Sequence, residues 1–245
     1  MKLQYFIDAG RNDLIKLFYA GDSTVTFNKI DSYPQAGLSQ GLTWYLKDDV
    51  FLRPFGVNGR STKSFIDEGR LKEIDDEIGE GDFLFIEFGH NDEKESDPSR
   101  YAAADAEYKD NLKRFADVAR RHGAHPLIIT SVARRLFDEN NIFKPGSHGA
   151  YPKCAIEAAK EAGVPYIDLN RMSEDYLATV GDFASRPMYV YPKDNSHLTM
   201  HGAVVYAGFI ADKLSEMGSP YSDLLIRRIK MQDSQNNYEK DETVD

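Results

Sequence analysis

The sequence predicts an α/β domain, a parallel sheet covered by helices on both faces. Three observations carry that expectation. Apolar runs recur without the polar alternation of a half-exposed sheet, as strands buried on both sides require. Segments of helical periodicity separate them, and glycines stand where several of those helices should stop. The 245 residues suit one large domain over 1–230, followed by a polar, loosely ordered tail over 231–245.

In chain order, the first buried strand is read at 14–20 and the first helix at 37–47. A weaker strand follows at 50–57, where Pro54 marks an irregular or edge position because proline donates no ladder hydrogen bond. A helix over 64–79 leads to a strand at 82–88. The longest helix runs from Tyr101 to His122, with Tyr108, Leu112, Phe115, Val118 and Ala119 at spacings of three and four and Gly123 as its stop. Then come a strand at 126–132, a helix at 151–162 ending at Gly163, and a strand at 164–169. A last helix over 200–217 ends at Gly218, and no internal repeat is present.

Composition narrows the function. A hydrophobic share of 41% with 29% charged residues is ordinary for a soluble globular protein. The net charge of -10 disfavours nucleic acid or an anionic membrane as principal partner. An anionic substrate would therefore need basic residues gathered at its site. The single cysteine, Cys154, permits no intrachain disulfide, and its place in an amphipathic helix suits a buried structural thiol. Charges interrupt the first residues where a secretory signal needs an apolar run, and no stretch reaches the length of a membrane span. A cytoplasmic location is the expectation.

Right-handed crossovers place the carboxyl ends of parallel strands on one rim, where open α/β sheets bind ligands. Three polar blocks follow such ends: Gly21-Asp22-Ser23-Thr24, Gly89-His90-Asn91-Asp92 and Ala133-Arg134-Arg135. A serine hydroxyl becomes a useful nucleophile only when a base takes its proton. Ser23 has the placement, with Gly21 permitting a tight turn and Thr24 opening toward a helix, although Asp22 and Ser23 also suit a helix cap. The Gly-x-Ser-x-Gly elbow is absent.

Its base is read as His197. Asp194, three residues earlier, can bond one imidazole nitrogen and turn the other toward the serine. His201 competes for the role but falls in the first turn of the last helix. A tetrahedral oxyanion needs donors. Asn91 can offer a side-chain amide, and Gly59 and Ser23 can offer backbone N–H groups, while Asn58-Gly59 also reads as a simple turn.

Together these blocks resemble the SGNH (GDSL-like) hydrolase superfamily over roughly residues 15–215. Pro34-Gln35-Ala36-Gly37, Gly59-Arg60-Ser61-Thr62-Lys63-Ser64-Phe65 and Phe88-Gly89-His90-Asn91-Asp92, with the Arg134-Arg135 pair, look like its rhamnogalacturonan acetylesterase group. The resemblance implies a flavodoxin-like three-layer α/β/α sandwich of about five parallel strands, with no metal and no cofactor. It implies Ser23, His197 and Asp194 as catalytic triad, Ser23, Gly59 and Asn91 as oxyanion hole, and removal of acetyl groups from pectic sugars. Without an export signal, the expected partner is an imported acetylated oligosaccharide.

On the substrate side, Arg60, Arg134 and Arg135 offer guanidinium forks for a uronate carboxylate, and His90 stands beside Asn91. Solvated or structural arginines are the alternative. Trp44 is read as core, since it shares a helix with Leu42, Tyr45 and Leu46. Other functions compatible with these residues are a broad short-chain acyl esterase or thioesterase of the same superfamily, or an inactive carbohydrate-binding scaffold. A metal-dependent phosphoesterase fits less well, because it wants several carboxylates and histidines at one centre.

Overall fold

The computed structural model describes residues 14–226, so the expected tail over 231–245 lies outside the described residues. In chain order the elements are β1 (Ile15–Gly21), β2 (Gln35–Ala36), α1 (Leu38–Leu42), β3 (Val50–Gly56), α2 (Thr62–Asp67) and α3 (Arg70–Glu77). They continue with β4 (Phe83–Glu87), α4 (Lys109–Arg121), β5 (His125–Ile129), α5 (Tyr151–Ala162), β6 (Tyr166–Ile167), α6 (Leu169–Ser185), β7 (Leu198–Thr199) and α7 (Met200–Met217). Five of the strands form one parallel sheet in the order β3-β1-β4-β5-β6. Counted along the chain within that sheet, this is the flavodoxin-like order.

Strand side chains alternate between two cores, because successive residues point to opposite faces. Leu17, Tyr19, Phe83, Phe85, Leu127 and Ile129 face α1, α6 and α7, meeting Leu38, Leu42, Leu177, Tyr206 and Ile210. Phe18, Ala20, Leu84, Ile86 and Ile128 face the other way, against Phe65, Ile74, Leu112, Phe115 and Ala155. The apolar runs are continuous because both faces are covered. β3 is one of the two edge strands, and its Pro54 is exposed there, where a missing ladder donor is tolerated.

Four helical expectations need correction. The 64–79 segment breaks into α2 and α3 at Gly69, whose φ of +79° ends one helix and starts the next. The 37–47 helix stops after Leu42, so Trp44 is not core but 66% exposed. The Tyr101–His122 segment opens with a π-type turn over Ala104–Tyr108 before α4 begins. Most substantially, α6 went unread. Asp168 ends the short strand β6 and caps α6, its carboxylate accepting from the Arg171 N–H at 3.2 Å. Cys154 is buried on the inner face of α5. Among the described residues, no helix is long and apolar enough to cross a membrane.

Candidate active site

β1 ends at Gly21, where any β-carbon would lie 2.6 Å from the Glu87 carbonyl and closer still to Val25. Glycine is needed there for close approach, rather than for the tight turn expected of it. No helix opens at Thr24. Instead the Asp22 carbonyl accepts from the Val25 and Thr26 N–H groups, and its carboxylate accepts from the Thr24 N–H and hydroxyl, each at 2.9 Å. This compact turn lifts Ser23 onto the carboxyl rim of the sheet, just past β1.

The acid–base block comes from the loop before β7. The loop is closed by Val190 N–H donating to the His197 carbonyl and Asp194 N–H donating to the Val190 carbonyl. Within it, one Asp194 oxygen accepts from the Ser196 and His197 N–H groups, at 2.6 and 2.9 Å. The other lies 2.6 Å from His197 Nδ1. His197 Nε2 is 2.8 Å from Ser23 Oγ. A carboxylate on Nδ1 fixes the proton there, leaving Nε2 to accept from the serine hydroxyl. Burial alone would raise the Asp194 pKa, but the His197 ring and the backbone donors hold it below the usual carboxylate value. His201 lies outside this line, beside a neighbouring hollow with Tyr33 and Met200.

Ser23, Gly59 and Asn91 line the same cleft, of about 540 Å³. Among the described residues the Ser23 and Gly59 N–H groups have no acceptor. Gly59 has φ of +78°, a conformation that a side chain would strain. The Asn91 amide is unambiguous in orientation. Its oxygen accepts from Lys94 Nζ at 3.0 Å and Arg100 Nη1 at 3.3 Å, and its nitrogen donates to the Arg60 carbonyl at 3.1 Å. One amide hydrogen is left for the cleft. Three residues with donor hydrogens unused among the described residues thus line one cleft with Ser23 Oγ.

The substrate-side expectations divide. Arg134 and His90 line the cleft, but Arg60 and Arg135 do not. Arg60 turns to Glu68, 3.1 Å away, because that carboxylate on the α2–α3 junction is its nearest counter-charge. Arg135 is 3% exposed and points inward. It pairs with Asp182, packs between the rings of Phe137 and Tyr191, and grips the acid–base loop. Its N–H donates to the Asn195 carbonyl at 2.7 Å and its Nη1 to the Asn195 side chain at 3.3 Å. It therefore positions the loop instead of touching ligand. Lys94, Arg100, Gln35 and Asn58 line the cleft without having been foreseen. Lys94 was within reach of sequence reasoning, since it lies three residues after Asn91.

Behind the cleft lies a buried polar layer. His90, which reaches from it into the cleft, is 6% exposed, among the described residues neither ring nitrogen has a hydrogen-bond partner, and burial holds its pKa down to about 4. Its Nδ1 lies 3.6 Å from Asp22 Oδ2, beyond hydrogen-bond length. Asp92 accepts from the Thr62 N–H at 2.9 Å, tying the Asn91 loop to the start of α2, and burial raises its pKa to about 8. Glu87 accepts from the Tyr19 hydroxyl at 2.6 Å and is likewise raised by burial to about 8. Among the described residues no group of three or more His, Cys, Asp or Glu side chains is placed to hold a metal.

A parallel α/β sandwich with serine, histidine and aspartate bonded in series at its carboxyl rim, beside three free donors, has the parts of a nucleophilic ester hydrolase. Residues 19–203 match the model of the GDSL-like Lipase/Acylhydrolase family. The rhamnogalacturonan acetylesterase RhgT of Bacillus subtilis (strain 168) is 37% identical over 226 residues, covering 87% of this chain and 95% of its own. The probable rhamnogalacturonan acetylesterase YesY of the same strain is 34% identical over 218 residues, covering 86% and 97%. The chain belongs to the GDSL-like lipase/acylhydrolase family and is a carboxylic ester hydrolase. That bears out the resemblance drawn from the sequence blocks.

Solved structures agree on the fold. The YXIM protein of Bacillus subtilis aligns with a TM-score of 0.75 at 24% identity, over 84% of this chain and 58% of that one. The acetylxylan esterase Axe2 of Geobacillus stearothermophilus aligns with a TM-score of 0.61 at 14% identity, over 89% and 100%.

Proposed function

We propose that this enzyme removes O-acetyl groups from pectic, rhamnogalacturonan-type oligosaccharides through a Ser23–His197–Asp194 triad and an acetyl-enzyme intermediate. The observation that carries the mechanism is the continuous hydrogen-bonded line from Asp194 through His197 to Ser23 Oγ, at 2.6 and 2.8 Å. His197 Nε2 takes the hydroxyl proton as Ser23 Oγ attacks the acetyl carbonyl carbon, and Asp194 steadies the imidazolium. The Ser23 and Gly59 N–H groups and the Asn91 amide receive the oxyanion. The sugar oxygen then leaves with the proton from His197. Water, deprotonated by His197, attacks the acetyl-enzyme and frees acetate.

The substrate class is supported by the two Bacillus relatives, whose names specify rhamnogalacturonan acetylesterase. A net charge of -10 supports a small saccharide partner over nucleic acid or an anionic membrane. Acetate release from acetylated rhamnogalacturonan, xylan and chitin fragments tests the reading. The pectic fragment should give the highest kcat/KM. Preference for xylan or chitin fragments would overturn the substrate assignment and leave the serine mechanism standing.

A further inference from the structure

The cleft is cationic in a protein that is otherwise acidic. Lys94, Arg100 and Arg134 line it, and its single acidic lining residue, Asp194, is engaged by His197. Two of the three cations are already balanced. Arg134 pairs with Glu93, and Arg100 pairs with Asp97 at 2.6 Å. Lys94 differs. Among the described residues its ammonium meets no carboxylate, and its one hydrogen-bond partner is the neutral Asn91 oxygen at 3.0 Å. An ammonium has three donors, so at least two remain for a ligand.

From these contacts we infer that Lys94, with Arg100 behind it, forms a subsite for a carboxylate on the same sugar unit that carries the ester. The inference rests on the reading in the preceding subsection and adds to it a charge requirement. The spacing supports it. Lys94 and Arg100 hold the oxygen end of the Asn91 amide, and its nitrogen end, with one hydrogen on the Arg60 carbonyl, keeps the second for the oxyanion in the reading above. Ammonium and oxyanion are therefore separated by little more than one amide group and a hydrogen bond on either side, roughly 6–8 Å. That is the span of one pyranose ring with a ring ester and an exocyclic carboxylate. A neutral sugar would leave the ammonium with no counter-charge.

Lys94 also polarises the Asn91 amide, so its removal should slow every substrate somewhat. The decisive quantity is thus a ratio, the kcat/KM for an acetylated rhamnogalacturonan oligosaccharide with free carboxylates over that for its methyl-esterified form. The wild type should prefer the free acid by roughly tenfold, and salt should erode that preference. Lys94→Met should bring the ratio to about one, and Lys94→Arg should restore most of it. Hydrolysis of 4-nitrophenyl acetate by each variant monitors the serine site independently. Equal wild-type rates on the two sugar forms, or an undiminished preference in Lys94→Met, would overturn the carboxylate subsite alone. Turnover of 4-nitrophenyl acetate with neither sugar form cleaved would overturn the pectic reading and the subsite together.

Discussion

Ser23 stands at the end of a strand buried on both faces and is itself 7% exposed, whereas Asp194 and His197 lie on a loop outside the sheet with side chains about one-third exposed. The nucleophile is placed by hydrophobic packing: Leu17 and Tyr19 below one face, Phe18 and Ala20 above the other. The base is placed by polar contacts at long range. Its loop is fastened by Arg135, which reaches Asn195 on one side and Asp182 on the other. The two halves are joined by the Ser23–His197 hydrogen bond, by the two-residue β2–β7 ladder nearby, and by Tyr189 and Leu198, which flank the loop and share a core with Leu17 and Tyr19. A site built this way should lose its geometry from the loop side first.

The largest break in that comparison comes from removing the base. His197→Ala should lower kcat for 4-nitrophenyl acetate by about ten-thousandfold with thermal stability nearly unchanged, because the partly exposed imidazole supports chemistry more than packing. Steady-state kinetics beside a melting curve would check both parts. Activity retained within tenfold would remove His197 from the mechanism.

Arg135→Met probes how the loop is held. It removes one of the two guanidinium partners of Asp182, whose side chain is 12% exposed and keeps its pairing with Arg186, and should cost about 2 kcal/mol in urea unfolding. It should also lower kcat more than it raises KM, since the triad loosens while the cleft keeps its lining. Arg135→Lys should recover part of the stability and less of the kcat, because a lysine cannot fork between Asn195 and Asp182. A destabilised variant with unaltered kcat would show that Arg135 serves packing only.

The last break is read in stability against pH rather than in kcat, and it sharpens the nucleophile half. Glu87 ends β4 opposite Gly21, two residues before Ser23, with its pKa raised from 4.5 to about 8 by burial. The folded state thus binds this proton more tightly than the unfolded chain. The associated stability is full below pH 4.5 and is lost as pH rises toward 8. Relative to wild type, Glu87→Gln should gain melting temperature across that window. A difference that stays flat with pH would mean Glu87 is ionised in the folded protein.

Much of the site was legible because strand ends are legible. Ser23 and Asn91 each follow a continuous apolar run, and the parallel topology brings such ends to one rim. Asp194 and His197 were paired by their spacing alone, and the structure keeps that pairing at 2.6 Å. Less was legible where a side chain's fate depends on the path of a loop. Arg134 and Arg135 are neighbours, yet one lines the cleft and the other is buried behind it, as alternation along the extended segment after β5 dictates. Trp44 was misplaced because α1 ends two residues before it. Helix α6 was missed because the apolar run at 164–169 hides the cap at Asp168, and Leu169, Ser173 and Leu177 mark its buried face at helical spacing.

The most direct measurement is capture of the acyl group itself. Rapid mixing with 4-nitrophenyl acetate, an acid quench and peptide mass mapping would locate any acetylated residue. The account predicts an initial burst of 4-nitrophenol with the acetyl group on the peptide carrying Ser23, and neither in Ser23→Ala. An acetyl group mapped to another side chain, or undiminished turnover by Ser23→Ala, would contradict it.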